Sequence, residues 1–258
     1  MRLRFLGTGT SFGIPVIGCD CAVCTSNDPK NQRQRHGLAL ESDGNVLLVD
    51  TPPELRMQLL REGISHVDAV FISHLHADHL HGLDDLRIFS VRGGPLPLFV
   101  AEEHVEELTT RFRYIFDESV QPPPGTSAPD IDLSSFKAGD EVSIAGFALQ
   151  PIAFPHGNVR SYGFRMGKLG VIVDAASLPA EAHERLLGVE VLVINALWRG
   201  KGHPTHFNVE RAVEAIQSLG VRRAYLTHLT HRVEYHDLLS GLPDGIEPAY
   251  DGLVVDID

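Results

Sequence analysis

Residues 74–79 read His-Leu-His-Ala-Asp-His, four potential metal ligands in six residues, directly after the apolar run Val67–Ser73. That run, Val-Asp-Ala-Val-Phe-Ile-Ser, has the length and β-branched content of a buried strand. Any fold of this chain must therefore bring the C-terminal end of a core strand to a place rich in imidazole and carboxylate. Alternation along an extended segment puts His74 and His76 on one side. The turn into a following helix then swings Asp78 and His79 toward a neighbouring position, so that each pair suits one cation. The plainer reading, a histidine-rich surface loop, fits poorly with the strand before the cluster and the aspartate inside it.

The cluster cannot complete two sites alone, so further ligands are expected at other strand ends. The chain has 14 histidines, and each needs a positional argument before it counts. Three residues have one. His156 follows the strand pattern Phe147–Phe154, Asp174 ends the apolar segment starting at Val171, and His228 follows Ala224–Thr227.

The surrounding pattern alternates between strand-like and helical periods. Arg2–Leu6 reads as a strand broken by Gly7-Thr8-Gly9-Thr10. Leu38–Glu41 and Val46–Val49 flank Asp43-Gly44, a hairpin signal. Helices are expected over Pro53–Arg61, closed by Gly63, over Glu102–Phe116, and over Val209–Leu219, where Val209, Ala212, Val213, Ile216 and Leu219 repeat at helical spacing. Further strands are expected at Pro95–Val100, Glu141–Ile144, Ser161–Met166, Val171–Asp174, Glu190–Ile194, Arg223–Thr227 and Leu253–Ile257. Residues 121–130, with three consecutive prolines, read as a loop. Strand patterns resume after it, so residues 1–258 are expected to form one domain of sheets covered by helices, an α/β (α+β) class.

Composition excludes some partners. The formal net charge is −12, from 34 acidic and 22 basic residues, which disfavours a long phosphate backbone. No apolar run reaches the roughly 18–20 residues that span a bilayer, and the first residues carry no signal-peptide pattern. The expectation is a cytoplasmic protein with no membrane partner. Cys19, Cys21 and Cys24 fall within six residues, an odd and crowded set that makes a poor disulfide framework and suits metal instead.

Taken together, His74-Leu-His-Ala-Asp-His79, Asp50 after Leu-Leu-Val, His156, Asp174 and His228 resemble the metallo-β-lactamase superfamily over nearly the whole chain. The resemblance implies a four-layer αββα sandwich with its site at one sheet edge. It implies that His74, His76 and His156 hold one divalent cation, that Asp78, His79 and His228 hold a second, and that Asp174 bridges them. Asp50 would orient a ligand histidine, as outer hydrogen-bond partners of metal ligands do; Pro52 stands where superfamily members often carry glycine. Histidine and carboxylate donors suit Zn, Mn or Fe.

Within that superfamily, Gly18-Cys-Asp-Cys-Ala-Val-Cys24 resembles the phosphodiesterases of phosphonate degradation, which hydrolyse phosphoribosyl 1,2-cyclic phosphate. The resemblance implies a structural zinc on the 18–24 loop, held by Cys19, Cys21, Cys24 and His231. It also places a histidine facing the dinuclear site just before a late helix, and His206 in His203-Pro-Thr-His206 matches that position. Three cysteines without metal, and a bland helix-entry histidine, are the alternatives.

Two cations roughly 3.5–4 Å apart clamp the attacking and leaving oxygens of an in-line displacement. Against two carboxylates they leave the site at about +2, which favours a phosphate anion in an acidic protein. His206 would protonate the leaving alkoxide. Arg33, Arg35 and Arg160 are candidates to bind phosphate. The expected substrate is a small phosphodiester, with a homodimer as a candidate assembly. The rival activities are a tRNA 3′-processing endonuclease, for which the 121–130 stretch offers no basic arm, and a lactonase or thioesterase. A zinc-stabilised binding module would require missing ligands.

Overall fold

The computed structural model describes residues 1–120 and 122–257. The strands are β1 (Arg2–Gly7), β2 (Gly37–Ser42), β3 (Asn45–Val49), β4 (Ala69–Phe71), β5 (Leu96–Ala101), β6 (Ile131–Phe136), β7 (Val142–Ile144), β8 (Phe147–His156), β9 (Val159–Met166), β10 (Leu169–Ile172), β11 (Val191–Asn195), β12 (Arg223–Thr227), β13 (Ile246–Pro248) and β14 (Val254–Asp256). Among the described residues they form two seven-stranded sheets, ordered β14-β1-β2-β3-β4-β5-β6 and β13-β12-β11-β10-β9-β8-β7. Each sheet is mixed. Pairing is antiparallel from β14 to β3 and parallel from β3 to β6; in the second sheet it is parallel from β13 to β10 and antiparallel from β10 to β7.

The two-residue period of each strand explains the layers. In β3, Leu47 and Val49 enter the core between the sheets, with Phe5, Leu38, Phe71, Phe164, Val171 and Val193. The intervening Val46 and Leu48 face a second core with Leu55, Leu59, Leu80 and Leu108. On the other sheet, Ile172, Leu192 and Ile194 turn outward onto Ala182, Leu186, Val209, Ala212 and Ile216. Strands apolar on both faces are thus covered on both faces, giving the expected helix–sheet–sheet–helix layering.

The helices on the first sheet are α1 (Leu55–Glu62), α2 (Ala77–Leu80), α3 (Arg87–Gly93), α4 (Val105–Arg111) and α5 (Arg113–Phe116); those on the second are α6 (Ala180–Leu186), α7 (Val209–Leu219) and α8 (Tyr235–Ser240). α7 has the predicted bounds. The Asn208 side chain accepts from the Arg211 amide at its start, and Gly220 closes it with φ 66. The Asp43-Gly44 turn has φ 52 and 86, the doubly left-handed form a two-residue hairpin favours, with Ser42 opposite Asn45.

Two expectations need correction, and one strand goes unpredicted. Glu102–Phe116 is not one helix. It is a 3₁₀ turn (Glu102–His104), then α4, then α5, broken where Phe112 leaves helical geometry at φ −111, ψ 44. Phe112, Ile115 and Phe116 all pack on the same core as Leu108. The strand expected over Val171–Asp174 ends at Ile172, so Asp174 lies beyond the ladder. Of the 121–130 loop, Gln121 lies outside the described residues; 122–130 contain turns and no strand or helix, and β6 follows unforeseen.

Candidate metal centre

The parallel strands of both sheets end on one side, and the predicted donors stand there. β3 runs into Asp50, β4 into Ser73 and His74, β8 ends in His156, β10 runs into Asp174 and β12 into His228. Between the sheets the Tyr162 amide donates to the Ser73 carbonyl at 2.9 Å, which ties the cluster loop of one sheet to the other.

His74, His76, His156 and Asp174 form one group of mutually close donor atoms, and Asp78, His79, Asp174 and His228 another. In the first, His74 Nε2 and His156 Nε2 lie 2.9 and 3.1 Å from His76 Nδ1, and Asp174 Oδ2 lies 3.8 and 3.6 Å from the same two Nε2 atoms. In the second, His79 Nε2 is 3.4 Å from Asp78 and 3.3 Å from Asp174, while His228 Nε2 is 3.6 Å from Asp78 and 3.3 Å from Asp174. A tetrahedral shell with bonds of 2.0–2.1 Å has donor–donor edges of about 3.3–3.4 Å, so both groups have the right size. Asp174 belongs to each.

Burial gives a second test of fit. His79 Nε2, Asp174 Oδ1 and His228 Nε2 are buried and have no hydrogen-bond partner among the described residues. Unpaired buried polar atoms are costly and therefore rare. Here three belong to one donor group, which a cation would satisfy together.

The electrostatics follow from the crowding. Burial opposes ionisation of Asp78 and Asp174, yet the neighbouring His79 and His228 hold both well below the usual carboxylate range. Burial likewise opposes a charged His79, but Asp78, Asp174 and Asp50 hold it well above a normal histidine. His156 is pushed down to about 4 by burial, and burial and the charge of His79 keep His74 low. Neutral imidazoles are the form that ligates metal.

A set of outer hydrogen bonds fixes the rings. Asp50 Oδ2 accepts from His79 Nδ1 at 2.6 Å, and Asp50 also accepts from the Ser73 amide and hydroxyl at 2.7 and 2.8 Å. His74 Nδ1 meets the Ser73 hydroxyl at 3.0 Å, and His156 Nδ1 donates to the Thr205 carbonyl at 2.8 Å. Asn195, at the end of β11, accepts from the Ala175 amide and donates to its carbonyl, holding the residue after Asp174. Asp50 and His228 adopt left-handed backbone, φ 67 and 58, although neither is glycine. Such conformations persist where surrounding contacts over-determine them and cluster at functional sites.

His206 stands beside Asp174, just before α7. Its Nε2 lies 3.1 Å from Asp174 Oδ2, and its Nδ1 meets the Thr205 hydroxyl at 2.7 Å. His203 stands behind it, 3.4 Å from His206 Nδ1, with its ring against Trp198. His76 is exposed, so the centre opens on that side.

Cys19, Cys21 and Cys24 Sγ lie 3.2, 3.6 and 3.5 Å from His231 Nδ1, a compact Cys3His group contributed by two distant loops.

The three candidate arginines all have partners within the chain. Arg33 is fully buried and donates to the carbonyls of Thr230 and Val233 and to Asn31. Arg35 pairs with Glu54 and donates to the Ser11 carbonyl, and Arg160 pairs with Glu103. Sequence reasoning also missed Ser73, Asn195 and His36. The first two carried a signal, a polar residue closing an apolar strand. His36 carried none; it is fully buried, with its ring centroid 5.5 Å from that of His79 and 6.4 Å from that of His228.

The profile of the family described as β-lactamase superfamily domain matches residues 45–229. A crystal structure of a diphosphatase from the PhnP family superposes with a TM-score of 0.90 at 36% identity, covering 100% of this chain and 98% of that one. The octanoyltransferase of Porphyromonas gingivalis is 35% identical over 260 residues, 100% of this chain and 52% of that protein. The ribonuclease Z of Methanopyrus kandleri is 24% identical over 280 residues, covering 90% of this chain and 88% of that one. The chain spans about half the length of the first curated relatives it matches. The fold, the profile and the near full-length match agree with the resemblance read from the motifs: the chain belongs to the β-lactamase superfamily and, within it, to the PhnP family.

Proposed function

We propose that this hydrolase is a dinuclear metal-dependent phosphodiesterase acting on a small, cyclic phosphodiester such as phosphoribosyl 1,2-cyclic phosphate. One observation carries the reading. Two donor groups of tetrahedral size share Asp174, and three buried unpaired atoms, on His79, Asp174 and His228, fall in one of them. His74, His76 and His156 would hold one cation, Asp78, His79 and His228 the other, with Asp174 common to both. Bound there, two divalent ions supply Lewis-acid polarisation of the phosphoryl oxygens and an acidified water as nucleophile. The donor types suit Zn, Mn or Fe.

The chain's own residues do the rest. Asp50 and Ser73 hold the His79 and His74 rings, and the Thr205 carbonyl holds His156. His206, whose Nε2 points at the shared carboxylate, is placed to give a proton to the leaving alkoxide. A groove of about 420 Å³ beside His156, lined by Glu103, His104, Asn158 and Arg160 among others, offers room for the non-phosphate part of a small substrate. The Cys3His group matches a closed structural zinc site, where sulfur bonds of about 2.3 Å give edges near those seen. Closely spaced cysteines left free to bind metal accord with a cytoplasmic setting. Exposed Met57, Leu60, Ile88 and Val91, on or beside α1 and α3, accord with a homodimer.

The reading favours a small substrate over precursor tRNA, because net charge is −12 and Arg33, Arg35 and Arg160 are all engaged internally. The acyl-transfer name of the Porphyromonas gingivalis relative belongs to a protein of which this chain spans half. The test is a hydrolysis panel with a bis-aryl phosphate, cyclic nucleotides, a 1,2-cyclic ribosyl phosphate, precursor tRNA and a lactone, run beside metal analysis. Turnover of the cyclic ribosyl phosphate above the others is expected. Lactone cleavage with no phosphodiester turnover would overturn the reading.

A further inference from the structure

His228 differs from the other buried histidines of the centre. His74, His79 and His156 each have the ring nitrogen that faces away from the donor groups bound to a fixed neighbour. Both ring nitrogens of His228 lack a hydrogen-bond partner among the described residues, and its backbone is left-handed. A ligand histidine without an outer partner is poorly oriented by its own side chain. Its direction must then come from the backbone on either side.

That backbone is clamped. On the N-terminal side lies β12. On the C-terminal side, the Leu229 amide donates to the Thr8 carbonyl at 2.9 Å, and Leu229 bridges to Gly9. Gly9 is pressed so close that a Cβ would sit 2.6 Å from the Arg33 carbonyl oxygen. The Thr230 amide and hydroxyl both donate to the Leu197 carbonyl, and the Thr230 carbonyl accepts from Arg33. His231 follows, its Nδ1 among the three cysteine sulfurs. The cysteine loop therefore closes on a segment that begins one residue after His228.

We infer that the Cys19-Cys21-Cys24-His231 group is a positioning device for the active site: by pinning His231 it holds residues 229–231, and through them the left-handed backbone that aims His228. The inference rests on reading both clusters as metal sites. It makes a selective claim. Losing the cysteine-site zinc weakens the cation held by Asp78, His79 and His228, and leaves the one held by His74, His76 and His156 nearly as it was.

The experiment uses the full chain with zinc content measured by mass spectrometry and active-site loading by manganese titration, since Mn²⁺ prefers nitrogen and oxygen donors over thiolate. Cys24→Ser should lose about one zinc per chain and bind the second manganese roughly 10–100-fold more weakly, as when an outer support is removed. The first manganese should stay within about threefold. Cys21→His, which keeps four zinc donors, should retain both the zinc and the second manganese; if Cys24→Ser does not fold, stripping the thiolate-bound zinc from the wild-type chain with a mercurial before the manganese titration tests the same claim. Zinc loss with unchanged affinity at both manganese sites overturns the inference, as does equal weakening of both. A wild-type chain with no zinc on its cysteines would instead overturn the reading of that cluster.

Discussion

The two donor clusters are built in opposite ways. The histidine–aspartate centre sits at the ends of β3, β4, β8, β10 and β12, with six of its seven donor residues buried. The cysteine group joins two loops, and its three cysteines are only half buried. The strand ends are held firmly, because each of these strands has a ladder on both sides and packs on two cores. The loops lack a ladder on each side and take their shape from scattered contacts and from what closes them. The first cluster is preorganised by the fold and has an open side at His76 for a ligand. The second has four protein donors, which fills a tetrahedral shell and suits a fastener rather than a catalyst.

The sharpest way to break this comparison is Asp174→Ala. The shared carboxylate should be indispensable to both proposed active-site cations, so that turnover falls to background, while any zinc bound by the cysteines stays. Metal analysis together with a phosphodiester assay checks it, and loss of all three metals would show that the clusters do not stand apart. His206→Ala comes next. Metal content should be intact and turnover should drop about 10²–10⁴-fold, the usual worth of a positioned proton donor. Full loading with unchanged turnover would take His206 out of the mechanism.

Asp50→Asn probes the preorganisation itself. Asparagine tolerates the left-handed backbone that this position adopts, so the substitution removes the charge facing His79 with little backbone cost. Active-site metal affinity should fall about 10–100-fold, read by equilibrium dialysis, and an unchanged affinity would mean that the strand ends alone hold the centre. The smallest effect belongs to Arg160→Gln. Its partner Glu103 is at the surface, and exposed ion pairs contribute roughly 0–1 kcal/mol. Steady-state kinetics should move less than about threefold; a large rise in KM would make this arginine a substrate contact.

Much of the centre was legible in the sequence because its donors follow apolar strands. A run such as Val67–Ser73 announces both a buried element and where it ends. That Asp174 would belong to both donor groups was implied only by family resemblance, since nothing local says that β10 and β4 meet across two sheets. His36 was illegible for the same reason: it precedes β2, and its proximity to both His79 and His228 exists only after the two sheets pack together. The fate of Arg33 was hidden too. A guanidinium that caps backbone carbonyls looks, in sequence, like one free to bind phosphate. The strand β6 escaped because only Phe136 in it is fully buried, so its alternation is weak.

One last feature concerns the far end of the molecule. The Ile257 amide donates to the Met1 carbonyl at 2.9 Å, and the Met1 amino group returns a bond to Ile257 at 3.3 Å. The six residues of β1 then carry the chain roughly 20 Å away from that meeting point toward the metal centre. Another protein fused to either terminus would therefore leave the opening at His76 clear. The same closeness makes a circular permutant feasible, joined across residues 1 and 257 and reopened within 122–130. In such a chain both donor clusters would keep their order in space while their order along the sequence changed.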